Sequence, residues 1–229
     1  MLKKILLINN YSQSTQTDRI ERIEVIIRDH PVKVVAKTIH FTEFRTEMIN
    51  DCIGIILSGS ELNVSEFNND EKLKAKFNSQ LDLIRNNYKV PILAICFGFH
   101  LVAYAYGAQV SRMKIKGLGG RIISILIKKT DELITQRNIP VNAHHLDFVS
   151  PNDSDVQEKF EIRGVSRSFG YDIIQYMKHN DKPIYSVQFH PETHLANYTY
   201  RNQDNEEIIK EAKQYGEEII INFANICNQ

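Results

Sequence analysis

The sequence predicts an α/β fold, doubly wound, with a mainly parallel central sheet, helices on both faces and an antiparallel β extension. Three observations lead to this prediction. Through the first half of the chain, short apolar segments with no polar face alternate with segments of helical periodicity. Such alternation is typical of strand–helix–strand crossovers, which keep the strands parallel. Beyond Gly107 the chain instead carries short strand-like segments between turns, which indicates antiparallel pairing.

The elements of the first half follow from residue spacing. Apolar runs predict strands and isoleucines at helical spacing predict a helix, which gives strand 3–9, helix 18–30, strand 32–38, short helix 42–49 and strand 52–58. A polar loop then opens at Ser58-Gly59-Ser60. Asp70 is expected to cap one helix, because an apolar stripe follows it at Leu73, Phe77, Leu81 and Ile84.

The second half is expected to contain strands at 109–113, 121–127, 141–148, 161–166 and 172–177. The apolar run 182–189 predicts a further central strand. A final helix is expected over 206–227, with one face formed by Ile208, Ala212, Tyr215, Ile219, Phe223 and Ile226. No linker or repeat interrupts these elements, so residues 1–229 are expected to form a single domain.

Composition narrows the classes of function. The 28 basic and 28 acidic residues of the 229-residue chain cancel, and no basic cluster is interleaved with aromatic residues, so neither nucleic acid nor a membrane surface is an expected partner. The first ten residues lack the apolar core of a signal peptide, and Cys52, Cys96 and Cys227 are odd in number and far apart. Both features predict a cytoplasmic protein with reduced thiols.

Residues 90–107, VPILAICFGFHLVAYAYG, contain the strongest functional signal. The apolar period changes from strand to helix at Cys96 without a break, and Gly98 relieves crowding two positions later. A thiol on such a sharp turn stands above the sheet's carboxyl edge, where the free N–H groups that begin the helix at Phe97 can stabilise an anion. Cys96 is therefore a candidate nucleophile, although a buried structural cysteine is an alternative.

A base for that thiol can come from the segment after strand 182–189. His190 and Glu192 project to the same side of an extended segment, so the carboxylate can orient the imidazole. A metal site is a rival interpretation, because His190, Glu192 and His194 alternate and another loop carries His144, His145 and Asp147. It is disfavoured because it leaves Cys96 without a role, so we expect neither a metal nor a cofactor.

Five motifs in order resemble the class I glutamine amidotransferase family. Ser58-Gly59-Ser60 resembles its Ser-Gly-Gly oxyanion loop, and PILAICFGFH at 91–100 resembles its Gly-x-Cys-x-Gly-x-Gln elbow. Gly119-Gly120-Arg121 resembles the Gly-Gly-Lys/Arg strand start, and VNAHHLDFV at 141–149 resembles the Ser-His-x-Asp segment. KPIYSVQFHPE at 182–192 is nearly identical to the family's Gln-Phe-His-Pro-Glu signature. The resemblance implies a flavodoxin-like fold.

The resemblance also implies site roles. Family members transfer the side-chain amide nitrogen of glutamine through a γ-glutamyl thioester. By this likeness Cys96 is the nucleophile, His190 the base and then the acid, and Glu192 the orienting carboxylate. Gly59 and Phe97 would supply oxyanion-hole N–H groups. The positions that would surround the substrate are Ser60, His100, His144, His145 and Asp147.

Departures from the family pattern leave the acyl donor open. Ala94 and Ser60 replace glycines, and His100 replaces the glutamine that helps to bind the donor in the family. The main expectation is a glutaminase-type hydrolase that releases glutamate and ammonia for a separate acceptor subunit, since the sequence lacks a nucleotide-activating loop. The alternatives are a free-standing γ-glutamyl-peptide hydrolase, which resembles the γ-glutamyl hydrolases in its Gly98-Phe99 step, and a non-catalytic metabolite sensor. Residues 193–205 are further expected to form a lid over Cys96.

Overall fold

The computed structural model describes residues 3–12, 18–29, 31, 33–87, 89–115, 120–192 and 206–229. Within them the strands are β1 Lys3–Asn9, β2 Val34–His40, β3 Gly54–Leu57, β4 Ile92–Ile95, β5 Val110–Arg112, β6 Arg121–Ile127, β7 Asn138–Ala143, β8 Asp147–Val149, β9 Phe160–Ser168, β10 Tyr171–His179 and β11 Ile184–Val187. The α-helices are α1 Asp18–Asp29, α2 Glu71–Ala75, α3 Asn78–Asn86, α4 Phe97–Ala105, α5 Ser154–Lys159 and α6 Glu206–Asn228. Short 3₁₀ helices occupy Thr46–Ile49 and Val64–Asn68.

One sheet of nine strands, in the order β2-β1-β3-β4-β11-β10-β9-β6-β7, runs through the described residues. Its first five strands pair in parallel, and the remaining strands pair antiparallel. Strands β5 and β8 form a separate antiparallel pair. This arrangement confirms the predicted α/β class, including the parallel sheet and its antiparallel extension.

Two apolar cores lie on opposite faces of the sheet. In β1, Leu6 and Ile8 pack into the core beneath α2, α3 and α4, whereas Ile5 and Leu7 pack into the core beneath α1 and α6. This alternation follows from the two-residue period of a strand, and burial of both faces explains why β1 has no polar side. None of the helices described is long and apolar enough to cross a membrane.

Two predicted elements are divided in the structure. The expected helix after Asp70 is broken at Phe77, although Asp70 does cap α2 by accepting the Leu73 N–H at 2.9 Å. Phe77 stacks against Phe41 and packs beside Phe97, so tertiary packing of its ring competes with a continuous helix. The four predicted stripe residues are buried nonetheless.

The expected strand 141–148 is likewise two strands, β7 and β8, which belong to different sheets. The Asp147 carboxylate accepts bonds from the Ser65 N–H and hydroxyl at 2.9 and 2.8 Å, and this long-range contact anchors β8 away from β7. Two smaller differences also appear. The helix expected over 42–49 is only the 3₁₀ turn Thr46–Ile49, and the short helix α5, capped by Asp153, was not expected.

Candidate active site

The predicted catalytic residues meet at the carboxyl edge of the parallel strands. Asn10 follows β1, Ser58 follows β3, Cys96 follows β4 and His190 lies three residues beyond β11. Because these strands are neighbours and parallel, their carboxyl ends converge on one region of the surface. The side chains of Cys96 and His190 are hydrogen-bonded there.

Cys96 occupies a strained elbow between β4 and α4. Its φ of 50° and ψ of −96° lie outside the regions that side-chain-bearing residues favour, at a cost of about 1–3 kcal/mol. Gly98 allows the bend, because a Cβ there would lie 2.5 Å from the Leu57 carbonyl oxygen. The Cys96 N–H donates to the Val187 carbonyl at 2.9 Å, which ties the elbow to β11.

His190 and Glu192 form a buried pair. The Nδ1 atom of His190 lies 2.7 Å from Oε1 of Glu192, and each residue is only 2% exposed. The His190 N–H donates to the Asn142 carbonyl at 2.8 Å. Since Asn142 belongs to β7, at the far end of the nine-stranded sheet, the antiparallel extension curls back to form one wall of the site.

The electrostatics of the pair favour an imidazolium. Burial and the nearby Arg19 cation lower the pKa of His190, but the negative charges of Cys96 and Glu192 outweigh them and raise the pKa to about 9. Burial likewise opposes ionisation of Glu192, yet the charge and hydrogen bond of His190 leave the carboxyl pKa below its usual value. The site can therefore hold a proton on His190 at neutral pH and release it to a reacting group.

A buried polar network positions the loop 58–60. The Ser58 carbonyl accepts the Gly98 N–H at 3.2 Å and the Asn10 side-chain amide at 3.2 Å, and Gln80 donates to the Asn10 oxygen at 2.7 Å. In a planar trans peptide the Gly59 N–H points opposite to that carbonyl. A Cβ on Gly59 would lie 2.9 Å from Cε1 of His190, so only glycine allows this loop to approach the imidazole so closely.

The structure brings only some of the predicted substrate positions to the thiol. The Cys96 thiol lies 3.9 Å from the His144 carbonyl oxygen, to which it can donate. The Ser60 hydroxyl instead accepts the Leu62 N–H at 3.0 Å and so closes a turn in its own loop. Ser60 and His144 thus flank the site from two different loops.

His100, His145 and Asp147 form a second polar group around the first turn of α4. Nε2 of His100 lies 2.6 Å from the Gln188 side-chain oxygen, and Nδ1 of His145 lies 2.9 Å from the Asp147 carbonyl. Burial lowers the pKa of His100 to about 4 and that of His145 to about 3, so both are neutral at physiological pH. This geometry favours a packing role for His100; that it contacts a bound donor stays a prediction.

Two expectations from the sequence fall wholly or partly outside the described residues. The lid predicted at 193–205 lies outside them, as do His194 and Gly119. For the rival metal site, no group of three or more histidine, cysteine or carboxylate side chains within the described ranges is placed to hold an ion. The Asp147 carboxylate is engaged by Ser65, and that of Glu192 by His190.

Sequence reasoning missed Arg19 and Tyr11. One guanidinium nitrogen of Arg19, Nη1, lies 3.2 Å from the Tyr11 hydroxyl and 3.0 Å from Nδ1 of His190. Tyr11 could have been found, since it follows β1 at the carboxyl edge. Arg19 gave no such signal, because it opens a helix whose docking on the sheet depends on tertiary contacts.

Comparisons with known proteins agree with this geometry. The family described as "Glutamine amidotransferase class-I" matches residues 6–209. The glutamine-hydrolysing subunit of GMP synthase from Methanocaldococcus jannaschii is 33% identical over 201 residues, covering 85% of this chain and 84% of the relative. The corresponding subunit from Methanococcus maripaludis is 29% identical and covers 97% of this chain and 96% of the relative.

Solved structures give the same result for the fold. A Thermoplasma acidophilum protein assigned to the same GMP synthase subunit superposes with a TM-score of 0.72 at 26% identity, covering 100% of this chain and 95% of that one. A Thermotoga maritima glutamine amidotransferase, at 15% identity, shares the fold with a TM-score of 0.68 and covers 99% and 98% of the two chains. The family match spans most of the chain, and the chain therefore belongs to the class I glutamine amidotransferase family.

Proposed function

We propose that Cys96, His190 and Glu192 are the catalytic triad of a glutaminase site, with Cys96 as the nucleophile. The observation that carries this proposal is the strained Cys96 elbow facing a buried His190–Glu192 pair. An active-site residue is where such backbone strain is typically retained. The Phe97 N–H at the start of α4 and the Gly59 N–H are the proposed oxyanion donors.

In the proposed reaction the Cys96 thiolate attacks the side-chain amide carbon of glutamine. The negative charge that develops on the amide oxygen is stabilised by the two N–H groups. The imidazolium of His190 protonates the departing nitrogen, so ammonia leaves and a γ-glutamyl thioester remains. His190, now neutral, accepts a proton from water, which attacks the thioester and releases glutamate. Glu192 holds the imidazole orientation through both steps.

We propose that the ammonia passes to a separate synthetase subunit, which uses it to make GMP. The similarity to the glutamine-hydrolysing subunits of GMP synthase over 85% or more of this chain supports this assignment. The expected single domain of residues 1–229 fits the near-complete overlap with these relatives. A cytoplasmic location, supported by three separate free cysteines, fits a thiol that must stay reduced.

The substrate positions divide into two proposed groups. His144 and Ser60 flank the donor directly, His144 through its carbonyl beside the thiol. His145 and Asp147 act one layer away, because their polar atoms are engaged within the protein. His100 is the residue in which this chain departs from the family pattern, and its donor contact is tested by the donor panel below.

The direct test is covalent labelling and turnover. A chloroketone analogue of glutamine should label Cys96, and Cys96→Ala should reduce glutamine hydrolysis at least ~10⁴-fold while leaving the fold intact. Cys52→Ala is the matched control, since Cys52 precedes β3 at the opposite edge of the sheet and is half-buried. Mass spectrometry locates the label, and ammonia release measures turnover.

Labelling of Cys52, or wild-type turnover by Cys96→Ala, would contradict the triad. The donor is tested by comparing kcat/KM for glutamine, γ-glutamyl peptides and polyglutamyl folate, in the presence and absence of a GMP-synthesising subunit. We expect glutamine to be preferred and its hydrolysis to increase when the synthetase subunit is present. A preference for γ-glutamyl peptides would instead favour the free-standing hydrolase.

A further inference from the structure

Arg19 brings a cation directly to the proposed catalytic histidine. It is the second residue of α1, whose isoleucines Ile20 and Ile23 are buried against the sheet, so the helix is firmly placed. Besides the contacts with Tyr11 and His190, Nη2 of Arg19 lies 3.3 Å from Nδ1 of His144. The guanidinium therefore lies between the two histidines of the site.

The geometry of the contact with His190 is informative. Nη1 of Arg19 is 3.0 Å from Nδ1 and 3.1 Å from Nε2 of the same ring. Being nearly equidistant from two nitrogens on opposite sides of the ring, it lies over the ring face and not along either nitrogen's in-plane lone pair. The ring edges thus remain directed at Cys96 and Glu192, and Arg19 has no part in the triad's own hydrogen bonds.

A cation in this place opposes protonation of His190, and its charge lowers the pKa of that ring. Such an arrangement is unfavourable for catalysis by itself, because His190 must become an imidazolium. A bound anion that pairs with the guanidinium would remove the penalty. The position therefore suits a group that is completed electrostatically by an anionic substrate.

The donor carries a suitable anion at a suitable distance. In glutamine, four C–C bonds separate the reacting amide carbon from the α-carboxylate carbon, a span of about 5 Å when extended. Arg19 contacts His144, whose own carbonyl lies beside the Cys96 thiol, so guanidinium and thiol are separated by one residue. A guanidinium also matches a carboxylate through two parallel N–H donors.

We propose that Arg19 binds the α-carboxylate of the glutamine donor and so selects donors that carry this group. The inference rests on the proposed function, since it requires glutamine to be the substrate. It adds a recognition residue outside the motif set, on a helix that contributes nothing to the triad.

The test compares Arg19→Met and Arg19→Lys on two donors, glutamine and 4-aminobutanamide, which is glutamine without its α-carboxylate. For glutamine, Arg19→Met should raise KM roughly 10–100-fold with little change in kcat, as expected for loss of a charged hydrogen-bonded pair. Arg19→Lys should restore part of the loss. For 4-aminobutanamide, kcat/KM should be the same in wild type and Arg19→Met.

Arg22→Met is the control, since Arg22 lies on the same helix but pairs with Glu217 on α6. Equal losses on both donors would show that Arg19 acts through His190, and a faster Arg19→Met enzyme would show that Arg19 blocks the site; either result overturns the proposal. Failure of the proposed function is separable, because it would appear in wild type. Calorimetric binding of glutamine to Cys96→Ala, with and without Arg19→Met, tests the carboxylate contact without turnover, and equal affinities would overturn it.

Discussion

The parallel strands and the antiparallel extension bury their residues in different ways. Strands β1, β3, β4 and β11 are packed by aliphatic side chains on both faces. The extension instead encloses charged groups: Asp131 accepts bonds from Arg163 and Tyr176, and Arg163 and Asp131 are 7% and 5% exposed. Glu132 accepts bonds from Tyr185 and from Lys178, the latter at 2.7 Å.

The difference teaches how the two parts serve the site. Apolar parallel strands fix where their carboxyl ends lie, and that edge carries Cys96, Ser58 and His190. The extension must curl back to bring Asn142 and His144 to the same place, and a buried ionic network constrains one geometry only when every partner is present. We therefore expect substitutions in the network to affect stability, and substitutions at the edge to affect chemistry.

The largest stability effect is expected for Asp131→Ala. Removal of the carboxylate leaves the Arg163 guanidinium buried without its main partner, at a cost of about 3–5 kcal/mol in the free energy of unfolding. Lys129→Met is the matched control, because the Lys129–Glu161 pair is exposed and should contribute under ~1 kcal/mol. Urea unfolding measures both variants. Similar values for the two would show that the buried network does not hold the extension.

The sequence predicted the parallel half well because its signals are local. The change of period at Cys96 and the glycine after it specify the elbow without reference to distant residues. The extension was less predictable: residues 141–148 alternate like one strand, and their division depends on Asp147 contacting Ser65, 82 positions away. Arg163 and Asp131 also appear in the sequence as ordinary surface charges. Arg19 reaches the site only through the docking of α1.

A smaller, pH-dependent effect is expected at His100. Its pKa is about 4 in the folded protein, mainly through burial, against about 6.5 in the unfolded chain. Between these values the unfolded chain binds more protons, so stability should fall as pH drops from 6.5 to 4. His100→Gln removes this contribution and should flatten the dependence by up to about 1.4 kcal/mol per pH unit.

Urea unfolding of wild type and His100→Gln at several pH values between 4 and 7 measures this slope. Parallel slopes would contradict neutral burial of His100. The same variant decides the packing role, because a helix histidine turned toward Gln188 should leave the ratio of kcat/KM for glutamine and a γ-glutamyl peptide unchanged. A shift of that ratio toward glutamine would show that His100 contacts the donor.

The smallest effect is expected at Gln80, and it sharpens the comparison because it should alter chemistry more than stability. Gln80 is 1% exposed and reaches the oxyanion loop only through Asn10, which holds the Ser58 carbonyl. Gln80→Met preserves the volume but frees the Asn10 side chain, so the Gly59 N–H should be less well aligned and kcat should fall roughly 3–10-fold with KM nearly constant. The unfolding free energy should drop by about 1 kcal/mol, the typical value of one hydrogen bond. Asp82→Asn, exposed on the same helix, is the control for α3. A rise in KM at constant kcat would show that the network shapes donor binding and not the oxyanion loop.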